Sequence, residues 1–133
     1  ENKTMSGQQN QAYQMSVKVV PSYLADQSEP NEGKFVFSYR VHIQNTGAVA
    51  AQLISRHWII TDANNEVVEV KGLGVVGEQP LLEPGAYFEY VSGTLLKTTN
   101  GTMHGHYFFT AVDGTQFSVD IPMFNLSVPG TLH

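Results

Sequence analysis

The chain has 133 residues, enough for one domain around a single core, and its 12 acidic against 7 basic side chains leave a formal charge of −5. That balance repels a polyanion, and Lys18, Lys34, Arg40, Arg56, Lys71 and Lys97 stand singly, so no direct nucleic-acid partner is expected. Cysteine is absent, which removes disulfides and thiolate metal sites and fits a reducing cytoplasm, and no apolar run approaches the roughly 20 residues that span a bilayer, so membrane insertion is not expected.

Residues 1–12 carry no periodic apolar face and read as a flexible tail, so the folded domain is placed at 13–133. From Tyr13 the pattern has period two, with Met15, Val17 and Val19 alternating with polar residues, which predicts a half-buried strand that stops at Pro21. After a solvated loop to Gly33, Phe35, Phe37, Tyr39, Val41 and Ile43 form the cleanest alternation in the chain and predict a central core strand, turned at Asn45-Thr46-Gly47. Residues 51–62 read as a third strand around Trp58, and 67–70 as a short fourth that pairs back on it.

A glycine loop at 72–77 follows, then a Pro84-Gly85 turn, a strand from Tyr87 to Val91, and a turn placed at Asn100-Gly101. Met103, Tyr107 and Phe109 face one side of the next strand, Asp113-Gly114 marks a hairpin, and Phe117, Val119 and Ile121 return. The apolar segment 122–129 reads as an irregular strap. Seven to eight short strands without a helical period predict an all-β antiparallel sandwich of immunoglobulin or fibronectin III type, with Trp58 on the third strand as such cores place theirs.

Three constellations carry possible chemistry. Gly72, Gly74 and Gly77 spell G-x-G-x-x-G, whose backbone N–H groups can approach an anion, with Arg56 or Lys71 as the accompanying cation. The dinucleotide fingerprint, however, opens a helix at its last glycine, and here Pro80 and Pro84 follow, so the glycines read first as a loop between strands. Within Ser55-Arg56-His57-Trp58 the strand period places Arg56 and Trp58 on one face and Ser55 and His57 on the other. His104 and His106 project to one face, a spacing that can hold a transition metal if a third ligand such as His42 or His57 joins them. No G-x-S-x-G elbow or converging carboxylate pair is present, so the chain is read as a non-enzyme.

The blocks Ser55-Arg56-His57-Trp58-Ile59-Ile60-Thr61-Asp62, Val70-Lys71-Gly72-Leu73-Gly74-Val75-Val76-Gly77-Glu78-Gln79-Pro80, Pro84-Gly85, Tyr90-Val91-Ser92-Gly93, Gly105-His106-Tyr107 and Ile121-Pro122-Met123-Phe124 together resemble the ApaG family. That resemblance implies a fibronectin III-like or immunoglobulin-like sandwich and an association with cobalt and magnesium tolerance or efflux. It also implies a link to a diadenosine tetraphosphate hydrolase encoded nearby, and interaction modules in eukaryotic F-box and DNA-polymerase-δ-interacting proteins. It supplies no catalytic residue. The sequence therefore predicts a cytoplasmic, non-enzymatic interaction module with a protein partner, docking through sheet edges and the apolar residues Leu73, Val75, Val76, Leu81 and Leu82. The alternatives are a binder of pyrophosphate or a (di)nucleotide at Gly72–Gly77, and direct divalent-cation binding at His104 and His106. No cofactor is required by the sequence.

Overall fold

The computed structural model describes residues 11–130. Eight strands follow in order: β1 (Met15–Tyr23), β2 (Phe35–Asn45), β3 (Ala51–Asp62), β4 (Val67–Leu73), β5 (Leu81–Leu82), β6 (Tyr87–Leu96), β7 (Asn100–Ala111) and β8 (Gln116–Ser127). All pairings are antiparallel, in a three-stranded sheet ordered β1-β2-β6 and a five-stranded sheet ordered β4-β3-β7-β8, with β5 also paired to β3. The two sheets face each other as the expected all-β antiparallel sandwich.

Alternation explains the core. Phe35, Phe37, Tyr39, Val41 and Ile43 on β2 and Met103, Tyr107 and Phe109 on β7 are all buried. Trp58 sits at the centre, edge-on to Tyr39 at 5.2 Å and to Phe124 at 5.9 Å between ring centroids, so one indole joins both sheets. Aromatic pairs in this geometry contribute about 0.5–1.5 kcal/mol beyond the area they bury.

Several boundaries differ from the sequence reading, and edge position explains two. Pro21 does not stop β1; it lies within the strand opposite Tyr39, and β1 is an edge strand where a missing N–H removes no ladder bond. Likewise 122–127 is not an irregular strap, because β8 continues through Pro122 to Ser127 as the opposite sheet's edge, with a register shift between Met103 and Gly105. Asn100-Gly101 is no turn but the start of β7, with Gly101 opposite both Asp62 and Leu126. The strand predicted over 67–70 extends to Leu73, that over 87–91 to Leu96, and β5 was not foreseen. The expected hairpin at Asp113-Gly114 is present, with Gly114 at φ +90°. Of the tail predicted over 1–12, residues 1–10 lie outside the described residues; the Ala12 carbonyl accepts from the N–H groups of Ala48 and Val49.

The sandwich closes on one side only. β1 packs on β8, whereas β4 and β6, the other two edges, scarcely meet. The inward-facing Val68 and Val70 of β4, opposite Ile60 and Trp58, therefore keep 56% and 36% of their surface exposed. With Thr94, Leu95 and Leu96 of β6 they line a slot of about 200 Å³.

Asn45, a turn residue by its sequence context, is buried at the end of β2. Its Nδ2 donates to the carbonyls of Val49 and Leu82, and its Oδ1 accepts from the Gly47 N–H at 2.8 Å. It ties the β2 end to β5. Replacing Asn45 by Ala strands one N–H and two carbonyls in the interior, and the expected loss is about 2–4 kcal/mol of unfolding free energy, measured by urea denaturation.

Candidate functional site

Strand β3 runs between β4 and β7 and presents its residues to two different environments. Arg56 stands opposite Gly72 and shares the inner face with Trp58, while His57 stands opposite Lys71 on the outer face. The separation of Arg56 and Trp58 from His57 expected from the strand period is what the register produces. It also parts the two candidate cations, because Lys71 lies on the face away from Arg56.

The Arg56 guanidinium lies flat on Gly72. A Cβ at Gly72 would come within 2.8 Å of one guanidinium nitrogen and 3.0 Å of the other, so only glycine leaves it room. From there Nη1 donates to the carbonyls of Leu73 at 3.1 Å and Gly74 at 2.8 Å. Both N–H groups of Nη1 are engaged, and the cation braces the loop that links β4 to β5.

That loop is a two-residue hairpin. Val75 and Glu78 exchange N–H to carbonyl bonds at 2.8 and 2.9 Å, and the central pair Val76-Gly77 has φ of +43° and +82°, the signs of a type I′ turn. Gly74, at φ +65°, lets the Glu78 carbonyl approach to where a Cβ would be 2.3 Å away. Its N–H bonds to the Ile54 carbonyl, on the residue by which β3 bulges between Leu53 and Ser55. The side chain of Gln79 reaches the same carbonyl. The N–H groups of Val75 and Glu78 thus close the hairpin and that of Gly74 ties it to β3, so an anion at Gly72, Gly74 and Gly77 would draw chiefly on side chains.

Beside the hairpin, Tyr39, Arg56, Trp58, Leu73, Val75, Val76, Gly77, Tyr90 and Ser92 enclose a cavity of about 250 Å³ between β3, β4 and β6. At its inner end the hydroxyls of Tyr90 and Tyr107 share a hydrogen bond. Burial pushes both phenols well above their ordinary pKa of 10.0, so they stay neutral. Tyr39 carries no signal in the sequence that separates it from an ordinary core residue, and Tyr90, Ser92 and Val76 fall in blocks that carry the family resemblance without being marked there as a site. Only the β2–β6 register, which sets Tyr39 opposite Ser92, brings them together.

The outer face holds the histidines. His106 stands opposite His57, their rings edge-on at 5.0 Å, and His57 Nε2 lies 2.8 Å from Glu69 Oε1. His104 stands opposite Ile59 on the same face. His42, the other third ligand considered, is in the three-stranded sheet, paired with Glu89 at 2.8 Å. Among the described residues no three His, Asp or Glu side chains are placed to hold one metal ion. Of the apolar docking residues expected around the loop, Val75 and Leu82 are buried in the core, and Leu73, Val76 and Leu81 are exposed.

These features define an antiparallel sandwich domain with a braced hairpin on one open flank. The chain belongs to the ApaG family: the ApaG domain model matches residues 25–111. It is similar to Protein ApaG of Methylobacillus flagellatus, 57% identical over 121 residues that cover 91% of this chain and 95% of that protein. Protein ApaG of Xanthomonas campestris pv. campestris is 54% identical over 126 residues, covering 95% and 99%. Among solved structures, a Bordetella pertussis protein described under the name ApaA superposes with a TM-score of 0.88 at 51% identity, covering 91% of this chain and 98% of that one.

Two outcomes follow from the loop and the tyrosines. Val76 is β-branched yet held in the left-handed region, at a cost of about 1–2 kcal/mol that its half-exposed side chain does not recover in packing. Val76→Asn, which tolerates that conformation, is expected to raise the unfolding free energy by about 1 kcal/mol in urea titrations. Tyrosines of the unfolded chain ionise from about pH 10 while Tyr90 and Tyr107 in the fold do not, so the unfolded state binds fewer protons and stability falls as pH rises past 10. Urea midpoints measured from about pH 8 to 11 are expected to decline more shallowly for a Tyr90→Phe, Tyr107→Phe double variant.

Proposed function

We propose that this ApaG-family domain is a non-catalytic binding module that takes an extended segment of a protein partner along its open flank. The observation that carries this reading is the unpaired outer edge of β4 together with the exposed inward-facing pair Val68 and Val70. A strand added there would continue the five-stranded sheet through main-chain hydrogen bonds and cover the slot between β4 and β6. Covering the surface these two valines still expose contributes about 1 kcal/mol each. Leu73 and Val76, also exposed, extend the same apolar line toward the hairpin. No helix among the described residues is long and apolar enough to cross a membrane.

The family resemblance adds the pathway. The module acts in the cytoplasm, in divalent-cation homeostasis of the cobalt and magnesium kind, through its partner rather than by holding the ion. The alternative, pyrophosphate or a nucleotide held by the glycine loop, draws support only from Arg56, since three of the loop's N–H groups are engaged internally.

The test is a pull-down from a native cell extract with the full chain and with a Val68→Lys, Val70→Lys variant. Both positions are exposed enough that the variant is expected to fold, with a change below about 1 kcal/mol. The wild type is expected to retain a defined partner that the variant loses by more than tenfold. Equal retention by both would contradict docking along β4.

A further inference from the structure

We infer that the cavity beside the hairpin is a binding site for a single carboxylate group, held by the free edge of the Arg56 guanidinium with the hydroxyls of Tyr39 and Ser92. The inference rests on the reading that a partner lies along β4, and it names the chemistry by which the end of that flank reads its ligand.

Arg56 supplies the charge. Among the described residues the ion pairs are His42–Glu89 and His57–Glu69, so the guanidinium has no carboxylate partner. Its Nη1 is fixed on the Leu73 and Gly74 carbonyls, while no acceptor among the described residues takes the N–H groups of Nη2 and Nε. Those groups are the parallel donors that match the two oxygens of a carboxylate. The orientation is preset, because the Gly72 backbone below and the two carbonyls beside it hold the plane of the group.

Tyr39 supplies a second donor at the cavity wall. The residue is only 6% exposed, but it lines the cavity, and among the described residues its hydroxyl makes no hydrogen bond. A phenol hydroxyl that opens on the cavity can donate to an acceptor placed there. Ser92 stands directly across from it on β6 and lines the same space. Val76, strained and half-exposed, sits on the rim with Leu73, where an apolar stem attached to the carboxylate would lie.

Charge and size select the class. The cavity contains one cation and neutral hydroxyls, which suits a monoanion. Lys71 leaves the other face of the sheet, where it lines a separate cavity with His57 and His106, and Glu78 follows Gly77, so among the residues lining the cavity beside the hairpin no second cation offsets a phosphate dianion. A volume of about 250 Å³ admits a carboxylate with a short side chain and is too small for a dinucleotide.

The experiment follows the Arg56 Nε–H and Trp58 Nε1–H signals of the uniformly ¹⁵N-labelled full chain during titration. The probes are acetyl-Ala-Ala-Val with a free C-terminus, the same peptide as its amide, sodium acetate, and inorganic phosphate. Saturable shifts with the free-acid peptide that vanish with the amide are expected. Arg56→Gln is expected to abolish them, and Tyr39→Phe to weaken binding by about three- to tenfold. Gly72→Ala, which dislodges the guanidinium while leaving every ladder bond in place, gives the same loss by a route that removes no donor. Tighter binding of the peptide assigns the source to a chain terminus, and equal binding of acetate assigns it to a small free carboxylate; both uphold the site. Equal shifts with the amide, tighter binding of phosphate, or no saturation at millimolar free acid would overturn it. The Val68→Lys, Val70→Lys variant leaves the cavity intact, so a failed titration beside normal partner capture would refute the carboxylate site alone.

Discussion

A five-stranded sheet facing a three-stranded one must leave part of its inner surface without an opposing strand. Trp58 fixes where that part falls: its indole takes the centre of the core against Tyr39, Tyr107 and Phe124, and β1 closes on β8 to one side of it. On the other side β4 overhangs, and Val68 and Val70 face inward without cover. An apolar face left open in this way is normally offset by an added strand or a partner. The candidate site is therefore a consequence of unequal sheet widths, and both the slot and the Arg56 cavity lie along the same flank.

The hairpin from Leu73 to Pro80 solves a local problem in that overhang. β4 and β5 both pair with β3, so the chain between them must leave the sheet and return to the same edge. It does so as a tight turn stitched to the β3 bulge at Ile54 and braced by Arg56. The glycine spelling that resembles a nucleotide motif is thus explained position by position. Gly72 makes room for a guanidinium, Gly74 for a carbonyl, and Gly77 takes the left-handed position of the turn. None of the three opens a helix, so no dipole is available to hold phosphate.

Much of the fold was legible because period-two alternation reports directly on burial. The row from Phe35 to Ile43, the central Trp58 and the Asp113-Gly114 hairpin all follow from side-chain spacing and turn chemistry. Pro21 and Pro122 misled because a proline's effect depends on whether its strand is an edge, which is a property of strand order and not of local sequence. Asn45 does turn the chain as its type suggests, since β2 ends there and its Oδ1 accepts from the Gly47 N–H, but nothing local shows that it is buried and bonded to the Leu82 carbonyl of β5. The site was half legible. Period two predicts that Arg56 and Trp58 share a face, but only the register shows that Lys71 turns away and that Tyr39 meets Ser92.

If the overhanging flank is the working surface, its backbone should change state when the module is engaged. Amide hydrogen exchange of the full chain, alone and with the partner it retains, tests this most directly. The account predicts slowed exchange across residues 67–73 of β4, with β8, the edge of the same sheet on the closed side, unchanged. Protection confined to β8 or β1, with β4 exchanging as in the free protein, would contradict it.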